Sequence, residues 1–235
     1  MVLYRIERYS NHMARAVKRS YDNSGREAGA LATRRAVVAA AKQLFLEKGY
    51  VATTLTEIAR VAGVSVQTVY AQFGNKPAIV KQVLDEAIAG DDEPVPINQR
   101  PEVAEQVAEK DPHVRIRMHA RFVAERMQRV EAVDRMMRSA ADADPAIREQ
   151  VLEADAGRVI GMTEMATLYG SRGELVVDVP TAAQRVAALM TPELYRRTVL
   201  DHGWTQEQFA TWLGDVLAAS ILKPAVPQRP RATRR

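Results

Sequence analysis

The sequence predicts an all-α fold, with a small N-terminal helical domain followed by a larger helical bundle. Apolar residues recur every three or four positions through most of the chain, which is the period of a helix with one buried face. Proline and glycine interrupt these stretches repeatedly, and no segment alternates convincingly with the period of a strand. With 47% hydrophobic residues among 235, the chain can bury a substantial core.

Composition divides the chain into four segments. Residues 1–32 are rich in arginine and lack a convincing amphipathic repeat at their end, so we expect a basic, disordered arm. Residues 33–90 are expected to form the small domain, which ends at an acidic run with two prolines at 91–96. Residues 91–222 are expected to form the bundle, and 223–235 a basic, disordered tail.

Several classes of protein are excluded by composition. The chain has no cysteine, which rules out disulfides, cysteine zinc sites and thiol nucleophiles. No apolar run approaches the length of a membrane span, and the start lacks the apolar core of a signal peptide, so we expect a cytoplasmic protein. The four histidines lack metal-ligand spacing, and no glycine-rich phosphate loop or nucleophile elbow is present. We therefore expect neither an enzyme nor a bound metal or cofactor.

Charge is distributed unevenly. Residues 1–90 carry 13 Lys and Arg against 7 Asp and Glu, whereas residues 91–222 carry 15 against 22. This asymmetry suggests that only the front of the molecule faces a polyanion such as DNA. The alternative is that the charges merely solvate the surface.

Two helices are well defined by the sequence. The first is expected at about 33–48, from Thr33 as N-cap to Gly49, which stops it. The last is expected to begin with a capping box of Thr205 and Gln208 and to end at Lys223. Its apolar face comprises Phe209, Trp212, Leu213, Val216, Leu217 and Ile221.

A helix-turn-helix is predicted between these two helices, centred on residues 55–73. Thr54 and Glu57 form a capping box that opens a short helix over about 55–62. Gly63 can adopt the left-handed conformation that ends this helix, and Ser65 can cap the next one. So short a turn makes two helices cross steeply, as in DNA-binding helix-turn-helix motifs.

The second helix of this motif presents a polar, uncharged face. Val66, Val69 and Phe73 share the predicted buried face. The residues expected to point away from it are Gln67, Thr68, Ala71 and Gln72. Gln can pair with adenine, and Thr and Ala can contact a thymine methyl, so this face suits the major groove. Tyr70 and Lys76 flank it and are placed to hold phosphates.

These residues carry a resemblance to a known family. The segments concerned are Gly49-Tyr50, Thr53-Thr54-Leu55-Thr56-Glu57-Ile58-Ala59, Ala62-Gly63-Val64-Ser65, Thr68-Val69-Tyr70, Phe73-Gly74-Asn75-Lys76 and Ile79-Val80. Over about residues 33–85 the chain resembles the DNA-binding domain of TetR-family regulators. The resemblance implies that Tyr70, Lys76 and Thr54 contact the DNA backbone and that the 67–72 stretch reads bases. The predicted DNA-contacting residues are Thr54, Ser65, Gln67, Thr68, Tyr70, Ala71, Gln72 and Lys76.

One departure from the family pattern affects the operator. Where many relatives carry a second aromatic residue or a histidine, this chain has Ala71 and Gln72, so no operator sequence can be carried over. Tyr70 could alternatively be a half-buried core residue.

The end of the chain resembles one group of the same family through Thr191-Pro192-Glu193-Leu194-Tyr195, Gly203-Trp204 and Trp212-Leu213. That resemblance implies a homodimer joined through the last major helices and often a ligand cavity in each body. We expect pairing mainly through residues 181–222, because the apolar face of the last helix needs a large partner surface.

The predicted function is a one-component repressor that binds a near-palindromic operator and is released by a small apolar or amphipathic ligand. Alternatives are a regulator that needs no ligand, an activator, and a helical interaction protein whose basic ends bind nucleic acid without sequence choice. Methionines could line an adaptable pocket, although ordinary core packing explains each of them as well. These are Met118, Met127, Met136, Met137, Met162, Met165 and Met190.

Overall fold

The computed structural model describes residues 24–225, with side chains from residue 28, and the described part forms ten α-helices. They are α1 (Ser24–Lys48), α2 (Leu55–Ala62), α3 (Val66–Phe73), α4 (Lys76–Ala89), α5 (Pro101–Ala108), α6 (Pro112–Ala140), α7 (Pro145–Ser171), α8 (Val179–Leu189), α9 (Pro192–Tyr195) and α10 (Gln206–Ile221). A 3₁₀ turn at Ile97–Gln99 precedes α5, and a π-helical turn at Arg196–Asp201 follows α9. We call α1 to α4 the head and α5 to α10 the body. Residues 1–23 of the predicted arm and 226–235 of the predicted tail lie outside the described residues.

Helix α1 begins earlier than the sequence led us to expect. It starts at Ser24 rather than at Thr33, so the last part of the expected arm is helical. Alanine-rich sequence from Ala28 to Ala32 favours a helix by intrinsic propensity even where no apolar face packs. These residues are exposed, which explains why an amphipathic pattern did not reveal them. Gly49 ends the helix with a φ of 82°, as predicted.

The head does not close its core alone. Its centre comprises Val37, Phe45, Ile58, Val69, Ile79 and Val83, each at most 1% exposed. Seven buried residues of the body belong to the same apolar cluster, among them Val133 and Met137 of α6 and Ile147 and Val151 of α7. Because one core spans both parts, the head packs directly onto the C-terminal end of α6 and the N-terminal end of α7.

A second core fills the body between α6, α7, α8 and α10. Phe209, Leu213, Leu217 and Ile221 of α10 are at most 1% exposed within a single chain. The expectation that the whole apolar face of α10 needs a partner subunit was therefore wrong, because only Trp212 and Val216 of that face stay half-buried in a single chain.

Helix starts in the body coincide with the breaks seen in the sequence. The Asp144 carboxylate accepts a hydrogen bond from the Ala146 amide at 2.9 Å, and the Thr191 hydroxyl accepts one from the Leu194 amide at 3.2 Å. In both cases proline occupies the first helical position. The predicted capping box of α10 is also formed.

The acidic run after α4 is bound to the protein rather than being only a solvated linker. Asp91 accepts two hydrogen bonds from Arg100, at 2.6 and 2.8 Å, and Asp92 accepts two from Arg35 of α1, at 2.5 and 2.9 Å. The Arg100 guanidinium lowers the pKa of Asp91 to about 2. Lys223, the expected start of the tail, is likewise held, since its amide donates to the Glu174 carbonyl at 2.9 Å. Such pairings join residues distant in sequence, which periodicity does not predict.

Candidate DNA-binding surface

Helices α2 and α3 and the turn between them form the predicted motif. The Thr54 hydroxyl accepts from the Glu57 amide and the Glu57 carboxylate accepts from the Thr54 amide, both at 3.2 Å. Gly63 ends α2 in the left-handed conformation, with a φ of 70°. The Ser65 hydroxyl then caps α3 by accepting from the Thr68 amide at 3.0 Å. The short turn is therefore fixed by local hydrogen bonds at both helix ends.

Helix α3 buries one face and exposes the other. Val69 is fully buried and Phe73 nearly so, whereas Gln67, Tyr70 and Ala71 are exposed. The Tyr70 side chain is 53% exposed, which contradicts the core alternative for this residue. The outward face therefore holds a carboxamide, a phenol and a methyl group, and none of these carries a charge at neutral pH.

Two of the residues expected on that face are engaged locally. The Thr68 hydroxyl lies 2.8 Å from the Ser65 hydroxyl, so both groups take part in the start of α3. Gln72 is half-buried, and its Oε1 is enclosed without a hydrogen-bond partner among the described residues. The expectation that Gln72 points wholly to solvent was therefore wrong. Gln72 lies three residues after the fully buried Val69, so its side chain lies at the edge of the core.

Lys76 is directed into the protein. Its amine donates to the carbonyl oxygens of Tyr50 and Thr53, at 2.8 and 2.9 Å, and lies 4.0 Å from the centre of the Tyr50 ring. Burial lowers the pKa of Lys76. Lys76 was expected to hold a phosphate; in the structure its amine binds two carbonyls of the loop before α2, which lies close to the start of α4.

Sequence reasoning also missed the residues that hold this loop. Thr53 is fully buried and donates its hydroxyl to the Gly49 carbonyl at 2.8 Å. The Tyr50 hydroxyl donates to the Asp144 carboxylate at the start of α7, and this bond lowers the pKa of Asp144. Gln150 of α7 donates to the Pro77 carbonyl at 3.0 Å. These contacts attach the helix-turn-helix motif to the body. Their partners lie far apart in the sequence, so no local sequence pattern predicts them.

A cavity of about 680 Å³ lies between α4 of the head and α5, α6 and α7 of the body. Four of the seven methionines considered from the sequence line it, namely Met127, Met162, Met165 and Met190. Met136 and Met137 instead belong to the core shared with the head. The volume of the cavity falls within the range of about 300–1,000 Å³ that is usual for small-molecule sites.

Within residues 24–225, no helix is long and apolar enough to cross a membrane. Within the same residues, no three His, Asp or Glu side chains are grouped as metal ligands would be.

Comparison with known proteins bears on the head and the body separately. Residues 37–83 match the family model described as bacterial regulatory proteins, tetR family. No curated protein matches the sequence.

Solved structures resemble the whole described fold. NalD, the secondary repressor of the MexAB-OprM multidrug efflux pump in Pseudomonas aeruginosa, is 23% identical, with a TM-score of 0.61 over 81% of this chain and 97% of that one. A SmeT–triclosan complex is 18% identical, with a TM-score of 0.63 over 85% of this chain and 98% of that one. The fatty acid degradation regulator FadR from Bacillus halodurans is 14% identical, with a TM-score of 0.61 over 79% and 94%. At identities of 14–23%, the similarity to these structures shows a shared fold only.

The capped two-helix motif with its neutral outward face defines a DNA-binding protein of the helix-turn-helix class. Residues 37–83 carry the DNA-binding domain of the TetR family of bacterial regulatory proteins, and the fold of the described chain is similar to that of TetR-family transcriptional regulators.

Proposed function

We propose that this regulator is a repressor that binds a near-palindromic operator in the cytoplasm and is released by a small apolar or amphipathic ligand. The observation that carries the proposal is the outward face of α3, which is exposed and uncharged on a head that has 8 Lys and Arg against 5 Asp and Glu. A nonspecific binder of nucleic acid is expected to place Lys or Arg there. Neutral hydrogen-bonding and methyl groups suit base edges instead.

The proposed contacts divide into two kinds. Gln67, Ala71 and Gln72 read bases, with Thr68 beside them at the start of α3. Tyr70 and the hydroxyls of Thr54 and Ser65 hold the backbone on either side. The amine of Lys76 has three N–H groups and uses two of them on Tyr50 and Thr53, so its third N–H is the one proposed to reach a phosphate.

A homodimer is part of the proposal because one eight-residue recognition helix reads too short a site for specific binding. Two heads related by a twofold axis can occupy successive major grooves about 34 Å apart. We place the interface on the outward faces of α8 and α10, within residues 181–222. Ala188, Thr211 and Ala219 are exposed there, and such small side chains allow helices of two subunits to pack closely.

Helix α4 supports a link between the cavity and the head. Leu84 and Ile88 of α4 line the cavity, while Lys76 at the start of the same helix holds the loop before α2. At the other end, the Arg129 guanidinium donates to the Ala87 carbonyl at 3.2 Å. A ligand that moves the cavity face of α4 therefore moves the element on which the head is mounted.

Footprinting of the full chain on DNA flanking its own gene, followed by selection from a randomised duplex pool, tests the proposal. We expect a protected near-palindrome whose half-site centres are separated by about one helical turn. Equal binding to every duplex would contradict it and favour the nonspecific interaction protein. A protected site at which bound protein raises transcription would contradict the repressor role alone.

A further inference from the structure

One wall of the cavity is a row of side chains on α6. Arg115, His119, Phe122 and Arg126 all line the cavity, and they follow one another at spacings of four, three and four residues. These spacings place them on one face of the helix. The row extends over about 16 Å at 1.5 Å per residue. It therefore has a cationic group at each end and an aromatic ring between.

The two arginines at the ends of this row differ in how their charge is balanced. Arg115 forms an ion pair with Glu174, donates to the Glu109 carbonyl at 2.6 Å and lies 4.4 Å from the Tyr169 ring centre. Arg126 has no ion pair and no hydrogen bond with any residue from 28 to 225. Its guanidinium lies 4.7 Å from the Phe122 ring centre, and burial lowers its pKa to about 10.

The acidic residues that line the rest of the cavity do not form ion pairs with Arg126. Asp134 accepts from Arg138 at 2.8 Å, and Asp85 faces Lys81 at 3.4 Å. Glu153 and Glu164 are exposed. Within the described residues, the Arg126 charge is therefore the one on this wall that has no counter-ion.

His119 differs from Arg126 in that it carries no charge to balance. Its Nδ1 lies 3.0 Å from the Gln106 Oε1, an acceptor, so Nδ1 carries the proton and Nε2 is left as an acceptor. Burial lowers the pKa of His119 to about 4, which keeps the ring neutral at physiological pH. An anion in the cavity is thus attracted to the Arg126 end of the row.

We propose that the cavity binds an amphipathic monocarboxylate, with its carboxylate on the Arg126 guanidinium and its apolar chain against Phe122, Met162 and Met165. Arg126 is half-buried with its Nε covered, so a cation there without a partner carries a desolvation cost that a bound anion reduces. The planar fork of arginine matches the two oxygens of a carboxylate. A single uncompensated positive charge also matches a monoanion better than a dianionic phosphate. The inference rests on the proposed function, since the same cavity would hold the releasing ligand.

Calorimetric titration of the full chain with four probes of equal chain length tests the class of ligand. The probes are decanoate, decanol, decylamine and decyl phosphate. We expect decanoate to bind at least tenfold more tightly than each of the others. Equal or tighter binding of decanol or decylamine would overturn the proposal, and tighter binding of decyl phosphate would overturn the choice of a carboxylate.

Variants of Arg126 separate its role in binding from a role in folding. Arg126→Met should reduce decanoate affinity at least tenfold, leave decanol affinity unchanged and raise the Tm, because the uncompensated buried charge is gone. Arg126→Lys keeps the charge and should retain most of the preference for decanoate over decanol. Arg121→Met, at an exposed position of the same helix, is the control and should leave all affinities unchanged. A parallel loss of decanoate and decanol binding in Arg126→Met would contradict an anion site.

These titrations contain no DNA, so they can fail independently of the proposed function. If decanoate binds as expected and leaves DNA affinity unchanged, the cavity site stands and release by ligand is refuted. If decanoate does not bind while operator binding is sequence-specific, the monocarboxylate site is refuted and the DNA-binding function stands.

Discussion

The outward face of α3 and the cavity face of α6 are each one side of a helix, yet their polar groups are satisfied in opposite ways. On α3, Gln67 and Tyr70 face solvent, and the hydroxyls of Ser65 and Thr68 bond to each other; among the described residues of this helix, the Gln72 Oε1 at the edge of the core is the exception. On α6, the enclosed Arg126 Nε and His119 Nε2 have no partner among the described residues. A surface that meets DNA can leave its polar groups in water until the duplex arrives, whereas a polar atom covered by the wall of a cavity cannot. Unmatched groups inside a protein therefore indicate ligand chemistry more specifically than matched groups on its surface.

The largest expected effect concerns pairing of subunits. Ala219→Arg places a long charged side chain on the outward face of α10 and should give a monomer. Operator affinity should fall by roughly 10²–10⁴, because two linked heads bind far more tightly than one. Light scattering and operator titration measure the two effects.

A rival interface provides the control for this experiment. Leu152 and Ile160 of α7 are 63% and 61% exposed, and these apolar side chains could also pair. Leu152→Arg should leave the dimer intact. If the Leu152→Arg variant is monomeric and the Ala219→Arg variant is dimeric, the interface lies on α7 rather than on α8 and α10.

The core shared by head and body predicts the next largest effect. Ile147 lies in the body and is fully buried in the cluster that includes the head residues. Ile147→Ala should lower the free energy of unfolding by about 2–5 kcal/mol in one cooperative transition. Leu152→Ala, five residues along the same helix and exposed, should change it by less than about 0.5 kcal/mol. Two separate denaturation transitions, with the first unaffected by Ile147→Ala, would show that the head folds alone.

The two faces were not equally predictable from the sequence. The motif at 54–73 depends on neighbours, such as Thr54 with Glu57 and Ser65 with Thr68, so spacing was enough to place its helices. The early start of α1 was missed because alanine stabilises an exposed helix without an apolar pattern. The inward turn of Lys76 depends on Tyr50 and Thr53, more than twenty residues earlier. The lone charge of Arg126 was invisible for the same reason, since only packing shows that no carboxylate lies beside it.

A variant of Lys76 shows whether its amine stabilises the folded head or contacts DNA phosphates. Lys76→Met leaves the Thr53 carbonyl without its amine donor and the Tyr50 carbonyl with only the Thr53 amide, so it should lower the free energy of unfolding by about 1–3 kcal/mol. Lys81→Met on the same helix removes only an exposed i,i+4 pair and should cost less than about 0.5 kcal/mol. Urea denaturation of both variants measures this. Unchanged stability in Lys76→Met, with a shallower salt dependence of DNA binding, would mean that the amine serves phosphates alone.

The smallest expected effect is a pH dependence at the contact between Tyr50 and Asp144. The hydrogen bond lowers the pKa of Asp144 in the folded protein, so its stabilisation is present above the unfolded pKa of about 3.9 and is lost as pH falls through the lower folded value. Tyr50→Phe should cost about 1 kcal/mol at neutral pH, and this difference should shrink below pH of about 4. Denaturation at a series of pH values tests it. A difference that stays constant on acidification would show that the bond does not depend on the charge of Asp144.

The central claim, that α3 reads bases, is tested most directly by titrating Gln67→Ala against the selected operator and a scrambled duplex at several salt concentrations. The account predicts a loss of about 1–3 kcal/mol on the operator, relaxed preference at particular base pairs and little change on the scrambled duplex. Gln43→Ala, an exposed glutamine of α1, is the matched control and should change neither affinity. If Gln67→Ala and Gln72→Ala both leave sequence preference intact, α3 does not read the operator and the account is contradicted.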